Sequence, residues 1–255
     1  MSNRLLKLKG KKKSLAAFIT GGDPDIQTTE NIVLAMEESG VDLVQIGIPF
    51  SDPIAENIVM QEADKRALEG GCTVDKLFDM VVRLREKTNI PLVFVTYANP
   101  VYAYGKNSFI TKCQKVGIDG IIVPDVPFEE KAEFAEDCNR HNIYLISLIS
   151  PSTEERTAKI AADAKGFLYC VSALNGADSD MRASISAMIS QAKRITDIPC
   201  FVGFGVSTPQ QAHDMASISD GVIVSSAFVQ LIAEHGKNGI TNVKSLVYDI
   251  KNSIG

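Results

Sequence analysis

Eight short apolar runs, rich in β-branched residues, recur along this chain at a steady interval. They are Leu15–Thr20, Asp42–Ile48, Pro91–Thr96, Gly120–Val123, Tyr144–Ile149, Phe167–Val171, Cys200–Phe204 and Gly221–Val224. They run close to continuously apolar rather than alternating, as strands buried on both faces do. Dividing 255 residues by eight leaves about 32 per unit, the length of a strand, a helix and two connections. Helical patterns fill most of the intervals: Thr28–Glu38, Val74–Lys87, Glu129–His141, Glu154–Ala164, Asp180–Arg194, Pro209–Ala216 and Ser226–His235. Thr28 and Thr29 are the N-caps expected for the first of these, and Thr208, ahead of Pro209, for the sixth. Eight strand–helix alternations predict an α/β fold, a (β/α)8 TIM barrel, in preference to an open doubly wound sheet. No low-complexity linker interrupts the pattern, so residues 1–255 are expected to form a single domain. A short extra helix over Asn3–Leu8 is expected to precede the first strand.

Charge and cysteine usage narrow the function classes. The net charge is -5, which disfavours a nucleic-acid binder reliant on phosphate contacts. The lysine run Lys11–Lys13 reads as a solvated face. No apolar run approaches the roughly 20 residues that span a bilayer, and the basic start lacks the apolar stretch of a signal peptide. The five cysteines are odd in number and widely spaced, without a Cys-x-x-Cys pair, which predicts reduced thiols in a cytoplasmic protein and no metal site. His141, His213 and His235 all fall in helical patterns, leaving little material for histidine-based catalysis.

In this fold the active site lies at the carboxyl ends of the strands. Gly203 and Gly205 follow the seventh strand, where they permit close backbone approach to a ligand, and Ser226 opens the eighth helix. Two adjacent strand ends thus agree on a phosphate site. The carboxylates expected at the mouth are Asp23, Asp52, Glu56 and Asp125, with turn-forming roles open for Asp52 and Asp125. Glu56 is the best free candidate for proton transfer. Gln45 points into the mouth or the barrel core, where an amide can hydrogen-bond but cannot exchange protons.

The motif Ile46-Gly47-Ile48-Pro49-Phe50-Ser51-Asp52-Pro53 resembles the tryptophan synthase alpha subunit family. Phe18-Ile19-Thr20-Gly21-Gly22-Asp23-Pro24, Tyr97-Ala98-Asn99-Pro100, Pro124-Asp125-Val126-Pro127 and Gly203-Phe204-Gly205-Val206-Ser207 extend the resemblance over essentially the whole chain. The resemblance implies retro-aldol cleavage of indole-3-glycerol phosphate to indole and glyceraldehyde 3-phosphate. It implies no cofactor in this chain, and a beta subunit partner that carries pyridoxal phosphate, in an alpha2beta2 assembly. It places Gln45 where the family has its catalytic glutamate, Glu56 where it has an aspartate, and Tyr169 beside them. It assigns substrate and phosphate binding to Phe18, Tyr97, Gly176, Gly203, Gly205, Ser225 and Ser226, and partner contact to Asp52, Asn99 and Pro100.

The departures from the family pattern gather at the site. Gln45 replaces the glutamate, Glu56 is one methylene longer than the aspartate, and the family's Asp-Gly-Pro reads Glu56-Asn57-Ile58. The loop after the sixth strand, Ser172-Ala173-Leu174-Asn175-Gly176-Ala177, is short and lacks the family's threonine, and Ser225 stands where a glycine is expected. Segments Glu56–Met60 and Ser172–Asp180 are expected to close over ligand. Two functional expectations follow: an alpha-type lyase impaired by Gln45, or a non-catalytic or retuned alpha-like subunit that binds a phosphorylated ligand and modulates a beta-type partner. The same barrel acting on another sugar phosphate is a third.

Overall fold

The computed structural model describes residues 2–171, 179–203 and 205–255. Its strands are β1 (Ser14–Thr20), β2 (Leu43–Gly47), β3 (Leu92–Val95), β4 (Gly120–Ile122), β5 (Tyr144–Leu145 and Ser147–Ile149), β6 (Leu168–Cys170), β7 (Cys200–Val202) and β8 (Gly221–Val224). All pair in parallel with their neighbours, and β1 pairs with both β2 and β8. The two halves of β5 are consecutive. The first pairs with β4 and the second with β6, so the ring closes through Ile146, whose N–H donates to Ile121 O at 2.9 Å. This is the (β/α)8 barrel expected from the spacing of the apolar runs.

The helices are α1 (Ile26–Glu38), α2 (Ile58–Glu69), α3 (Val74–Arg85), α4 (Ala98–Tyr104), α5 (Lys106–Val116), α6 (Ala132–Arg140), α7 (Glu154–Ala162), α8 (Ser179–Lys193), α9 (Pro209–Ala216), α10 (Ser226–His235) and α11 (Ile240–Ile254). They pack outside the barrel, where Leu15, Ala17 and Ile19 of β1 face Ile32, Val33 and Met36 of α1. The expected Thr208 cap is present as a full capping box with Gln211. The first helix differs. Asp25 is its N-cap, accepting from Thr28 N at 2.7 Å, so Thr28 and Thr29 lie inside the first turn. The segment expected as one helix from Glu129 to His141 is a 3-10 turn (Phe128–Glu130) followed by α6. Four helices, α2, α4, α5 and α11, occupy segments with no helix expected.

A 3-10 helix, Arg4–Leu8, closes the amino-terminal end of the barrel. Leu5 and Leu8 enter the same buried cluster as Ala16, Leu43, Val93, Ile122, Phe167 and Phe201 from the barrel interior. Asn3 Nδ2 donates to Asp119 O at 2.7 Å and Asn142 O at 3.0 Å. Buried Asp119 pairs with Arg4 at 3.1 Å and Arg85 at 3.0 Å, and accepts from Leu92 N at 2.9 Å. A carboxylate this enclosed is stable only when so fully paired. The lysine run is not simply a solvated face. Lys11 pairs with buried Asp42, and Lys13 Nζ donates to Ala216 O at 2.5 Å and Ser219 O at 2.7 Å, because those carbonyls and that carboxylate terminate elements at this end.

Candidate active site

Successive side chains of a strand face opposite sides, so residues two apart share the barrel interior. One step of two toward the carboxyl ends converts the apolar core into the lining of a cavity. Ala16 leads to Phe18, Leu43 to Gln45, Val93 to Val95, Ile146 to Leu148, Phe167 to Tyr169, Phe201 to Gly203 and Ile223 to Ser225. The cavity has a volume of about 400 Å3 and is completed by Ala55, Glu56, Met60 and Tyr97 from the segments after β2 and β3. That size suits a drug-sized or cofactor-sized organic molecule.

Gln45 is 1% exposed and lies within β2, opposite Phe18 in the β1 register. Of the two positions its sequence left open, it takes the mouth, since it lines the cavity. Neither its Oε1 nor its Nε2 has a hydrogen-bond partner. Leaving a buried polar atom unpaired costs about 1–3 kcal/mol, and this amide stands unpaired at the cavity wall. Gly47, two residues on, is required by Phe18. A Cβ there would stand 2.7 Å from the Phe18 ring.

Glu56 enters from the segment between β2 and α2. Its Oε1 accepts from the Tyr97 hydroxyl at 3.2 Å, which in turn accepts from Ala55 N at 3.2 Å. Tyr97 is held by its ring against Phe50, with centroids 5.5 Å apart. The carboxyl of Asp64, on α2, neighbours the charge of Glu56 and accepts from Phe50 N at 3.2 Å. Burial raises the Glu56 carboxyl above its ordinary range, against the hydrogen bond from Tyr97. Burial and then the charge of Glu56 push Asp64 up to about 8. Burial and the same charge hold the Tyr97 phenol well above its ordinary range. Asp64 escaped the sequence reading because α2 did.

Asn57 caps α2, accepting from Val59 N at 3.1 Å and Met60 N at 3.2 Å through Oδ1. Its Nδ2 donates to Ser226 Oγ at 2.7 Å, which ties the β2–α2 segment to the start of α10. The residue that replaces the family's glycine thus has a structural use of its own. Asn directly ahead of an apolar-patterned stretch was the available signal.

Ser225 and Ser226 sit at the amino terminus of α10, as the sequence predicted for Ser226. The first N–H groups of a helix have no intrahelical partner and favour an anion. Tyr169 lines the cavity with Ser225, and burial pushes its phenol up to about 12. Gly203 has a different physical reason from the one expected. A Cβ there would lie 2.7 Å from the Tyr169 ring and 2.8 Å from Ile223 Cβ, so the glycine makes room for the tyrosine. Gly205 is accounted for by its backbone conformation. Its φ is +70° and nothing lies within 4 Å of the Cβ it lacks. Gly176, Phe204 and most of the Ser172–Asp180 segment lie outside the described residues.

The other expected carboxylates are not part of the cavity. Asp23 is buried in a two-pronged ion pair with Arg66, at 3.0 and 2.8 Å. Both oxygens of Asp125 accept from Ala98 N, which fixes the start of α4. Asp52 lies exposed at the rim beside Ser51 Oγ at 2.5 Å. Asn99 and Pro100 occupy the first turn of α4 rather than a loop. The histidines make tethers away from the cavity, such as His213 Nδ1 with Ser253 O at 2.7 Å. Among the described residues no group of three or more His, Cys, Asp or Glu side chains is placed to hold a metal ion.

Known proteins resemble this chain throughout. The family model described as tryptophan synthase alpha chain matches residues 5–253. A tryptophan synthase alpha chain of Alkaliphilus metalliredigens is 38% identical over 260 residues, covering 99% of this chain and 98% of the relative. The crystal structure of tryptophan synthase subunit alpha from Legionella pneumophila superposes with a TM-score of 0.91 at 33% identity, over 100% of this chain and 99% of that one. A chain of the tryptophan synthase complex from Pyrococcus furiosus does so with a TM-score of 0.86 at 34% identity, over 95% and 99%. With its barrel, its cavity and its full-length likeness in agreement, this chain belongs to the tryptophan synthase alpha chain family.

Proposed function

We propose that this chain cleaves indole-3-glycerol phosphate to indole and glyceraldehyde 3-phosphate. The observation that carries the reading is one cavity lined both by Gln45, Glu56 and Tyr97 and by Tyr169, Gly203 and Ser225 at the start of α10. The first group suits an aromatic amine with a hydroxylated side chain, and the second suits its phosphate.

In the net reaction one proton leaves the carbinol oxygen and one joins ring carbon 3. The bond between that carbon and the carbinol carbon breaks, its electron pair stays with the ring, and an aldehyde forms. Glu56, held by Tyr97, accepts the ring N–H and stabilises the positive charge that protonation puts on the ring. Gln45 hydrogen-bonds the carbinol group and orients it but transfers no proton, which lowers the rate by about 10²–10⁴-fold. Phe18 and Leu148 supply apolar walls for the ring. Tyr169 positions the substrate between ring and phosphate, and Gly176 belongs to the segment expected to cover it. Gly205, Ser225 and Ser226 receive the phosphate.

The reading assigns no cofactor to this chain and leaves pyridoxal phosphate to a beta subunit partner, in an alpha2beta2 assembly. Asp52, Asn99 and Pro100 are the contacts proposed for that partner. Ile54 and Ile58, 80% and 66% exposed on the same rim, support a surface that another chain covers. The five free thiols support a reducing, cytoplasmic setting. Incubation with indole-3-glycerol phosphate and a beta subunit tests the reading. Indole and glyceraldehyde 3-phosphate are expected in equal amounts, and substrate recovered intact refutes it.

A further inference from the structure

Two carboxyl groups face each other at the wall of the cavity, and only one of them reaches it. Glu56 lines the cavity, whereas Asp64 lies behind it on α2, 2% exposed. Glu56 Oε1 has the Tyr97 hydroxyl, but its buried Oε2 has no donor. The charged neighbour of the Glu56 carboxyl is Asp64, itself an acid. Two carboxylates offer four acceptor oxygens and no donor, and like charges in contact exclude double ionisation. A proton between them supplies both the missing donor and the missing neutrality. The ligand-facing side of the arrangement is marked independently by Gln45, whose amide is buried in the same cavity with both polar atoms unpaired.

Resting on the proposed reaction, we propose that Asp64 is a positioning residue that carries one proton shared with Glu56, donates it as a hydrogen bond to Glu56 Oε2, and so keeps Glu56 a fixed carboxylate facing the substrate. Glu56 then receives hydrogen bonds from both sides, from Tyr97 and from Asp64, and cannot swing away when the substrate's ring N–H arrives. The proton sits on Asp64 because that group is the more enclosed of the two. Removing it leaves two buried carboxylates in contact, which drives Glu56 out of register.

The groups packed around the pair do not titrate in the same range. Tyr97 is held well above its ordinary range, and burial pushes the Cys72 thiol up to about 11. Phe50 N contributes an uncharged hydrogen bond to Asp64, at 3.2 Å. Asp23 and Arg66 compensate each other in their ion pair. The pair with Asp64 pushed up to about 8 is therefore the group that sets an alkaline limit.

Two measurements on the full chain test this. Infrared difference spectra between about pH 7 and about pH 10 are expected to show a protonated carboxyl band at the lower pH that disappears at the higher, and that is missing in Asp64→Asn. With a beta subunit and indole-3-glycerol phosphate, kcat/KM is expected to fall about tenfold per pH unit above the pair's transition. In Asp64→Asn, whose amide donates at every pH, that alkaline limb is expected to vanish. Absence of the band from the native chain, or an unchanged limb in Asp64→Asn, overturns the proposal. If the band behaves as stated and no indole forms, the shared proton stands and the reading of the reaction falls.

Discussion

Gln45→Glu is the substitution that separates a damaged lyase from a barrel with other chemistry. The two side chains are nearly isosteric, and Gln45 sits without a protein partner at either polar atom, so no hydrogen bond is broken by the exchange. The new carboxyl, 1% exposed and between Phe18 and Val93 in the sheet register, is pushed upward by burial and holds its proton near neutrality, as a general acid for ring carbon 3 requires. After donating it, the same group takes the carbinol proton. General acid–base catalysis is worth about 10²–10⁴-fold, which corresponds to about 3–5 kcal/mol off the barrier. The assay is indole release at saturating beta subunit, read as kcat/KM for indole-3-glycerol phosphate. A gain of about 10²-fold or more is the expected result. A folded variant that binds the substrate as tightly as the parent, with no gain in turnover, refutes the reasoning.

Further outcomes follow from the same geometry. Asn57→Ala removes the cap of α2 and the tie to Ser226, and is expected to cost about 1 kcal/mol in chemical denaturation and to weaken binding of glyceraldehyde 3-phosphate in calorimetry. Gly203→Ala puts a methyl 2.7 Å from the Tyr169 ring, and is expected to lower kcat/KM for indole release more than it lowers Tm, by displacing the tyrosine within the cavity. Asp52→Ala, at an exposed rim position, is expected to weaken activation by a beta subunit in mixed-subunit assays while Tm stays within about 2 °C. Because Asp64 is raised to about 8 in the folded chain, the native state retains a proton that the unfolded state releases. Stability is then fully present below the ordinary aspartate range and falls as pH rises toward about 8, by up to about 1.4 kcal/mol per pH unit. Asp64→Asn is expected to flatten that slope in Tm measured against pH.

The barrel was legible because strands buried on both faces leave apolar runs that recur at the interval of a strand–helix unit. The α9 boundary was equally plain, since Thr208, Pro209 and Gln211 combine a cap, a permitted proline and a capping box. Helix α2 was hidden by its composition. Val59, Met60, Ala63 and Ala67 make its apolar stripe of small or flexible residues, interrupted by Gln61, Glu62, Asp64, Lys65 and Arg66. Missing it removed Asp64 from view. Pro100 disguised α4 in the same manner, because a proline in the first turn of a helix costs little but reads as a break. The positions of Gln45, Tyr169 and Ser225 followed once strand and direction were known, through the two-residue periodicity. That Gln45 has no partner, and that Gly203 serves Tyr169, depend on contacts between strands far apart in sequence, which no local pattern contains.

The central claim is that this cavity still performs the family's cleavage with an amide at position 45 and a carboxyl at position 56. Steady-state indole release from indole-3-glycerol phosphate, with beta subunit present and Glu56→Gln as the control, tests it most directly. The account predicts slow turnover by the native chain and loss of that turnover in Glu56→Gln. Turnover that is absent from the native chain, or equal in the two proteins, contradicts it.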